Sequence, residues 1–183
     1  MFFSTTRLPL LAVAGLLGLA SCSKSADNTG PSNRIAFNDF ESVDGWGAPN
    51  SSLTTAQAHS GHYAVKVDKD VEYSLGYNNL LGKASASKIK KLIVHGWVYV
   101  TGPKTTASLV LQVVAPDKNN QQVFWGGVDL SKEVHEANEW QEVRQEISLP
   151  DNVEASQQLR VYMWRGAAQQ PVYLDDLEIL KGE

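Results

Sequence analysis

The sequence predicts an all-β fold, a jelly-roll β-sandwich of two antiparallel sheets, and three observations predict it. After residue 33 no convincing amphipathic helix appears. Short runs of alternating or apolar residues recur instead, rich in Val, Ile, Leu, Tyr and Trp. Turn formers separate them: "SGH", "GPKTT", "PDKNN" and "LPDNVEAS". About ten such strands in residues 34–183 are best satisfied by two sheets packed face to face. No repeat at solenoid or propeller spacing is visible.

The chain opens with "MFFSTTR" and the apolar run "LPLLAVAGLLGLA", too short to span a bilayer. Residues 1–21 read as an export leader. "LASC" resembles the bacterial lipobox: an aliphatic residue, two small residues, then the cysteine to be acylated, Cys22. Cys22 is the only cysteine, so it has no partner for a disulfide. An ordinary secretory signal with a cysteine nearby is the other reading. Lipidation would leave a membrane anchor at the new N-terminus. Ser23, next to Cys22, carries no inner-membrane Asp signal, so the expected location is the outer membrane, on its periplasmic face or at the cell surface. Residues 22–33, with "SKSADNTGPSN", are polar and aperiodic and read as a flexible tether.

The strands expected in order are "RIAFNDFE", "SLTTAQ", "HYAVKVD", "VEYSLGYN", "KLIVHGWVYV", "SLVLQVVA", "QQVFWGG", "WQEVRQEISL", "LRVYMW" and "VYLDDLEIL". "DLSKEVHEANEW" reads as a loop, with room for one helical turn. The last strand carries two adjacent carboxylates, which a strand disfavours. If Leu177 and Ile179 face the core, alternation puts Asp175 on the same inner face and Asp176 in solvent. A buried Asp175 needs a partner. Backbone N–H groups of a loop, or a Lys or Arg, would serve.

The order of four motifs carries a family resemblance. "NDFES…DGW", "HSGHYAVKV", "EWQEVRQEISLP" and "VYLDDLEIL" follow one another as in the β-sandwich carbohydrate-binding modules related to families 4, 9 and 22, which are galactose-binding-domain-like. The resemblance also extends to surface lipoproteins of glycan-degrading bacteria. In "FNDFES" Phe40 is expected to enter the core; the resemblance implies that Glu41 and Asp175 share a structural calcium, and Asp39 is a candidate extra ligand. Calcium takes hard oxygen ligands, so the residue types suit it. One departure is Phe37, where the family often has Asn; Asn38 lies one residue on.

Parity separates the side chains of three strands. Val94, Gly96 and Val98 alternate with His95, Trp97 and Tyr99; Leu109, Leu111 and Val113 with Val110, Gln112 and Val114; Leu159, Val161 and Met163 with Arg160, Tyr162 and Trp164. The aliphatic sets can fill a core. His95, Trp97, Tyr99, Gln112, Arg160, Tyr162 and Trp164 then form one exposed face that is costly to leave bare in water. Sugars suit such a face, stacking C–H surfaces on rings while Gln, Arg and His address hydroxyls. The inverted facing, with the aromatic rings in the core, is the alternative. Trp125 in "VFWGG" reads as a loop platform for ligand or as a core residue, and Trp46 and Trp140 as structural.

Charge and motifs narrow the function. With 16 Lys and Arg against 20 Asp and Glu, the chain is mildly acidic, which argues against a nucleic-acid partner. His59, His62 and His135 lie near turns without zinc-ligand spacing and read as surface residues. No nucleophile elbow, zinc-protease helix or phosphate loop is present. The expected function is a non-catalytic, lipid-anchored module that binds an oligo- or polysaccharide. A structural or protein-interaction lipoprotein with the same sandwich is the alternative. A small polysaccharide lyase or hydrolase using His95, Tyr99 and Arg160 comes after that.

Overall fold

The structure, a computed structural model, describes Met1, residues 30–102 and residues 105–183. The leader, Cys22 and nearly all of the tether lie outside the described residues. Ten strands follow in order: β1 (Arg34–Asn38), β2 (Leu53–Thr54), β3 (Ala64–Val67), β4 (Tyr77–Leu80), β5 (Lys91–Val100), β6 (Ser108–Ala115), β7 (Gln121–Asp129), β8 (Trp140–Ser148), β9 (Gln158–Trp164) and β10 (Val172–Lys181). Two single-turn helices, α1 (Leu81–Ala84) and α2 (Leu130–Glu133), sit at strand ends. The second is the helical turn for which the sequence left room. The first was not expected. Among the described residues no helix is long and apolar enough to cross a membrane.

All strand pairings are antiparallel. One sheet runs β2-β3-β10-β5-β8, with β1 also paired to β10; the other runs β4-β9-β6-β7. Their inner faces meet in one apolar core. Leu92, Val94 and Val98 of β5 face Leu109, Leu111 and Val113 of β6 and Leu159, Val161 and Met163 of β9 within it. The aliphatic sets therefore point inward and the inverted facing is excluded. Phe40 is buried as expected, held at φ +58° just after β1.

The expected strand "VEYSLGYN" is different. Only Tyr77 onward forms β4, while Tyr73 makes a single bridge to Trp164. Asp68 explains this. Its carboxylate accepts the N–H groups of Asp70 and Val71, both at 2.9 Å, and so closes a turn where a strand would need those donors.

Strand β10 departs from simple alternation. Leu174 lies opposite Val98 and Asp175 opposite Trp97, but the next pair is Glu178 with His95. Asp176 and Leu177 together face Gly96, and Asp176 has φ +48°. This β-bulge shifts the phase of the strand. Gly96 permits it: a Cβ there would stand 3.3 Å from the Asp175 carbonyl oxygen and 3.1 Å from Leu174 Cδ1. Leu174, Leu177 and Ile179 all reach the core. Asp175 shares its face with Trp97, on the outside of the sheet, which corrects the inner placement that unbroken alternation predicts.

Candidate functional site

The aromatic and polar side chains do point outward, but from two different sheets. His95, Trp97 and Tyr99 stand on β5 in the first sheet, whereas Gln112, Trp125, Arg160, Tyr162 and Trp164 stand on β6, β7 and β9 in the second. They lie on opposite outer faces of the sandwich. The expectation of one shared face is corrected, because parity tells which side of its own sheet a residue occupies but not to which sheet a strand belongs. For the same reason His95, Tyr99 and Arg160 do not share a site.

On the second sheet, register builds a polar row across all four strands. Asn78 pairs with Arg160, Arg160 with Gln112, and Gln112 with Trp125. Trp125 lies within β7 and is 48% exposed, so it is neither a loop platform nor a core residue. Its ring meets Trp164 edge-on at 6.3 Å. The Trp164 Nε1 donates to Glu72 Oε1 at 3.4 Å. Val110 points outward yet is only 1% exposed, with Tyr162 beside it in register and the two tryptophans meeting across its strand.

Next to this row lies an open cleft of about 400 Å³. Trp46, Tyr73, Tyr77 and Tyr162 supply its rings, and Asn50, Asn78, Gln112 and Arg160 its polar groups. Tyr73, 52% exposed, packs edge-on against Tyr162 at 5.8 Å. A hydrogen bond with Glu72 pushes the Tyr73 hydroxyl's pKa up, and burial does the same at Tyr162. Both hydroxyls stay protonated at neutral pH, and the Tyr73 hydrogen is donated to Glu72. Tyr73, Asn78 and Asn50 escaped the sequence reading, because they come from irregular chain or a short edge strand. Trp46 is structural as expected, packing edge-on against Phe40 at 6.1 Å and Tyr77 at 5.5 Å, but it also borders the cleft. A second hollow of about 390 Å³, beside α1 between Leu81, Ile89 and Val153, is lined by small and aliphatic residues with Lys88 and Glu154, and has no aromatic platform.

On the outer face of the first sheet, His95, Trp97 and Tyr99 are partly covered by neighbouring side chains. Trp97 stacks on His59 with centroids 4.0 Å apart and planes 11° from parallel. His59 is exposed, as expected, but its ring is engaged. Its ring also bonds Asp176 Oδ2 at 2.6 Å and meets Trp140 edge-on. Tyr99 packs against Trp140 and Tyr173. His95 lies between Glu142, at 2.8 Å, and Glu178, at 3.3 Å, and Glu178 also pairs with Arg34. His62 and His135 are exposed, as expected.

The carboxylates of the terminal strand hold the loop that does the covering. Asp175 is 0% exposed. Its Oδ2 accepts the His59 and Ser60 N–H groups at 2.8 and 3.0 Å, and its Oδ1 accepts the Asp176 N–H at 2.7 Å. Asp176 takes the Ser60 hydroxyl at 2.7 Å instead of facing bulk solvent. Glu41 Oε1 accepts the next two donors of the loop, His62 and Tyr63 N–H, at 2.6 and 2.7 Å. Asp39 Oδ1 accepts the Glu41 N–H at 3.2 Å. Between the two clamps sits Gly61, at φ +57°, where a Cβ would fall 2.4 Å from Glu41 Oε1. Burial pushes the Asp175 carboxyl up, with three N–H bonds pulling against it. The His62 and Tyr63 N–H groups hold Glu41 below the usual glutamate range.

These carboxylates offer the oxygen chemistry calcium takes, but Asp175 and Glu41 already accept backbone donors. Among the described residues no three acidic, histidine or cysteine side chains converge. Backbone N–H groups, one of the partners considered for Asp175, are the ones the geometry supplies.

Comparison with known proteins bears on the two-sheet body. Its architecture is shared with the CBM22-1 xylan-binding domain of Paenibacillus barcinonensis Xyn10C, at a TM-score of 0.52 and 20% identity over 81% of this chain and 94% of that one. The CBM22-2 xylan-binding domain of the same enzyme gives 0.51 and 18%, covering 81% and 99%. The C-terminal family 22 module of Clostridium thermocellum Xyn10B gives 0.52 and 16%, covering 81% and 93%. At these identities the likeness speaks for the fold. No match is found among curated proteins. Residues 32–170, from just before β1 to just before β10, match the family described as carbohydrate binding domain, CBM_4_9, and the chain belongs to that family.

Proposed function

We propose that the protein is a non-catalytic glycan-binding module, displayed at the bacterial envelope by a lipid on Cys22, and that its ligand lies on the second sheet. The observation that carries this reading is the row Asn78, Arg160, Gln112 and Trp125, with an exposed ring at one end and the Tyr73–Tyr162 cleft alongside. Rings to stack on and amides to address hydroxyls are what a sugar chain needs. Membership of a carbohydrate binding domain family supports it, as do structural relatives named for xylan binding. His95, Trp97 and Tyr99 are left out, because loop 59–63 and neighbouring side chains occupy their face.

A glycan array, followed by retention on the immobilised polysaccharides that score, tests the reading. Retention without release of reducing or unsaturated ends is expected. Absence of retention on any polysaccharide would leave the protein-interaction alternative, and product release would make the protein an enzyme.

The anchor rests on "LASC" and the single cysteine. Cys22→Ser is expected to abolish fatty-acid labelling and leave uncleaved precursor. Labelling that persists in this variant refutes the anchor. Calcium is a separate proposal, supported by the family resemblance and by the oxygen donors of Glu41, Asp39 and Asp175. A ligand bound only by the native state raises the melting temperature, so chelation is expected to lower it in calcium-loaded protein. A melting curve indifferent to chelator removes calcium from the account.

A further inference from the structure

The cleft has an unbalanced charge. Among the described residues that line it, Arg160 alone is charged; the others are aromatic, amide, hydroxyl, aliphatic or glycine. Among the described residues Arg160 enters no salt bridge. Glu72, at the edge of the face, is engaged by Trp164 Nε1 and by the Tyr73 hydroxyl and does not line the cleft. A half-buried cation without a counter-charge has lost part of its hydration and gained no ion pair in return.

The guanidinium is also held in place. Its Nε and Nη2 donate to Gln158 Oε1 at 3.1 and 2.8 Å, and Nη2 donates again to Asn120 Oδ1 at 3.0 Å. Among the described residues Nη1 makes no hydrogen bond, so both its hydrogens are free to donate. Neutral amides fix the plane without cancelling the charge. That suits a group prepared for an incoming anion, since ordering has already been done. In register, Asn78 and Gln112 flank it, and Trp125 stands two strands away. At strand spacing that is roughly 9–10 Å. A chain stacked on Trp125 and running along this row would pass over Gln112 and bring a neighbouring sugar to the Arg160 guanidinium.

We infer that the cleft selects an acidic glycan, a chain containing uronate residues, and that Arg160 is the side chain that pairs with the carboxylate. This rests on the glycan-binding reading and refines it. The test is isothermal titration of the full chain with glucuronoxylan, polygalacturonate and alginate, each set against the same polymer after reduction of its carboxyls to alcohols. At least one acidic polymer is expected to bind about tenfold or more tightly than its reduced form, the size expected of one charge-assisted hydrogen bond. The ratio should narrow as salt is raised. Arg160→Gln should bring the ratio to one, while Arg160→Lys, which keeps the charge and loses the fork, retains part of it. Melting curves of both variants show that they are folded.

Equal binding of acidic and reduced polymers overturns the inference and leaves glycan binding standing. So does a preference that survives Arg160→Gln, or binding confined to neutral polysaccharides. Failure to bind any polysaccharide, acidic or neutral, overturns both readings.

Discussion

Trp125→Ala is expected to abolish retention on the polysaccharide that the protein binds while hardly moving its melting curve. The ring is about half exposed on the outside of β7, so its removal opens little cavity. An aromatic platform is the usual anchor of such a face, and losing one costs about 2 kcal/mol or more of binding, roughly thirtyfold. Trp97→Ala should do the reverse. Its ring is closed against His59 at 4.0 Å, so truncation should cost about 2–3 kcal/mol of stability and leave retention intact in whatever protein is folded. Val98, 0% exposed between the sheets, supplies a control: alanine there should cost about 2 kcal/mol and spare the ligand. Melting and retention measured on the same three variants decide the matter. If Trp97→Ala loses retention at full stability and Trp125→Ala does not, the ligand sits on the first sheet.

The second large effect falls on Asp175. Asp175→Asn puts an NH₂ group where a carboxylate oxygen now accepts backbone N–H groups, stranding at least one of them in a fully buried place. The expected loss is on the order of 3–5 kcal/mol, or roughly 10 °C of melting temperature for a chain of this size. Asp176→Asn, which keeps a residue tolerant of positive φ, should cost much less. The Asp175 loss should appear with or without chelator, since it comes from backbone donors. A wild-type melting curve for Asp175→Asn would show that the clamp contributes nothing.

Acid acts in opposite senses at the two ends of this loop. Asp175 has a raised pKa, so its ionisation subtracts from stability as pH rises from the ordinary aspartate range through its folded value. Glu41 has a lowered one, so its contribution is present above the ordinary glutamate range and fades as pH falls through its folded value.

Much of the fold was legible because strands announce themselves locally. "KLIVHGWVYV" and "SLVLQVVA" became β5 and β6 residue for residue, since a half-buried strand alternates and turn formers bound it. Side-chain facing was legible for the same reason. The site was only half legible. Alternation is a property of one strand, whereas a site is made by strands brought together, so Trp97 and Trp164 looked alike and stand on opposite faces. Asp175 shows the second limit. Its parity was broken by a bulge whose signal, Asp176 at positive φ against Gly96, is a backbone event between distant segments. His59 shows the third: its exposure was legible from the turn, but its stacking on Trp97, a residue of a distant strand, was not.

Strand β10 has a further consequence, for how the chain reaches this state. One of its edges is shared, with Val172–Leu174 pairing β3 and Leu177–Leu180 pairing β1, while its other edge pairs β5 throughout. It is the last strand in chain order, and Arg34 meets Leu180 across it. Neither β1 nor β3 can join β5 in a sheet until β10 has been made. Such non-local pairing folds slowly and is completed late. During synthesis the first sheet therefore stays open, and the loop carrying His59 has nothing to close on. Native packing of Trp97 against His59 should be among the last events of folding, so the fluorescence of that tryptophan would report the arrival of the final strand.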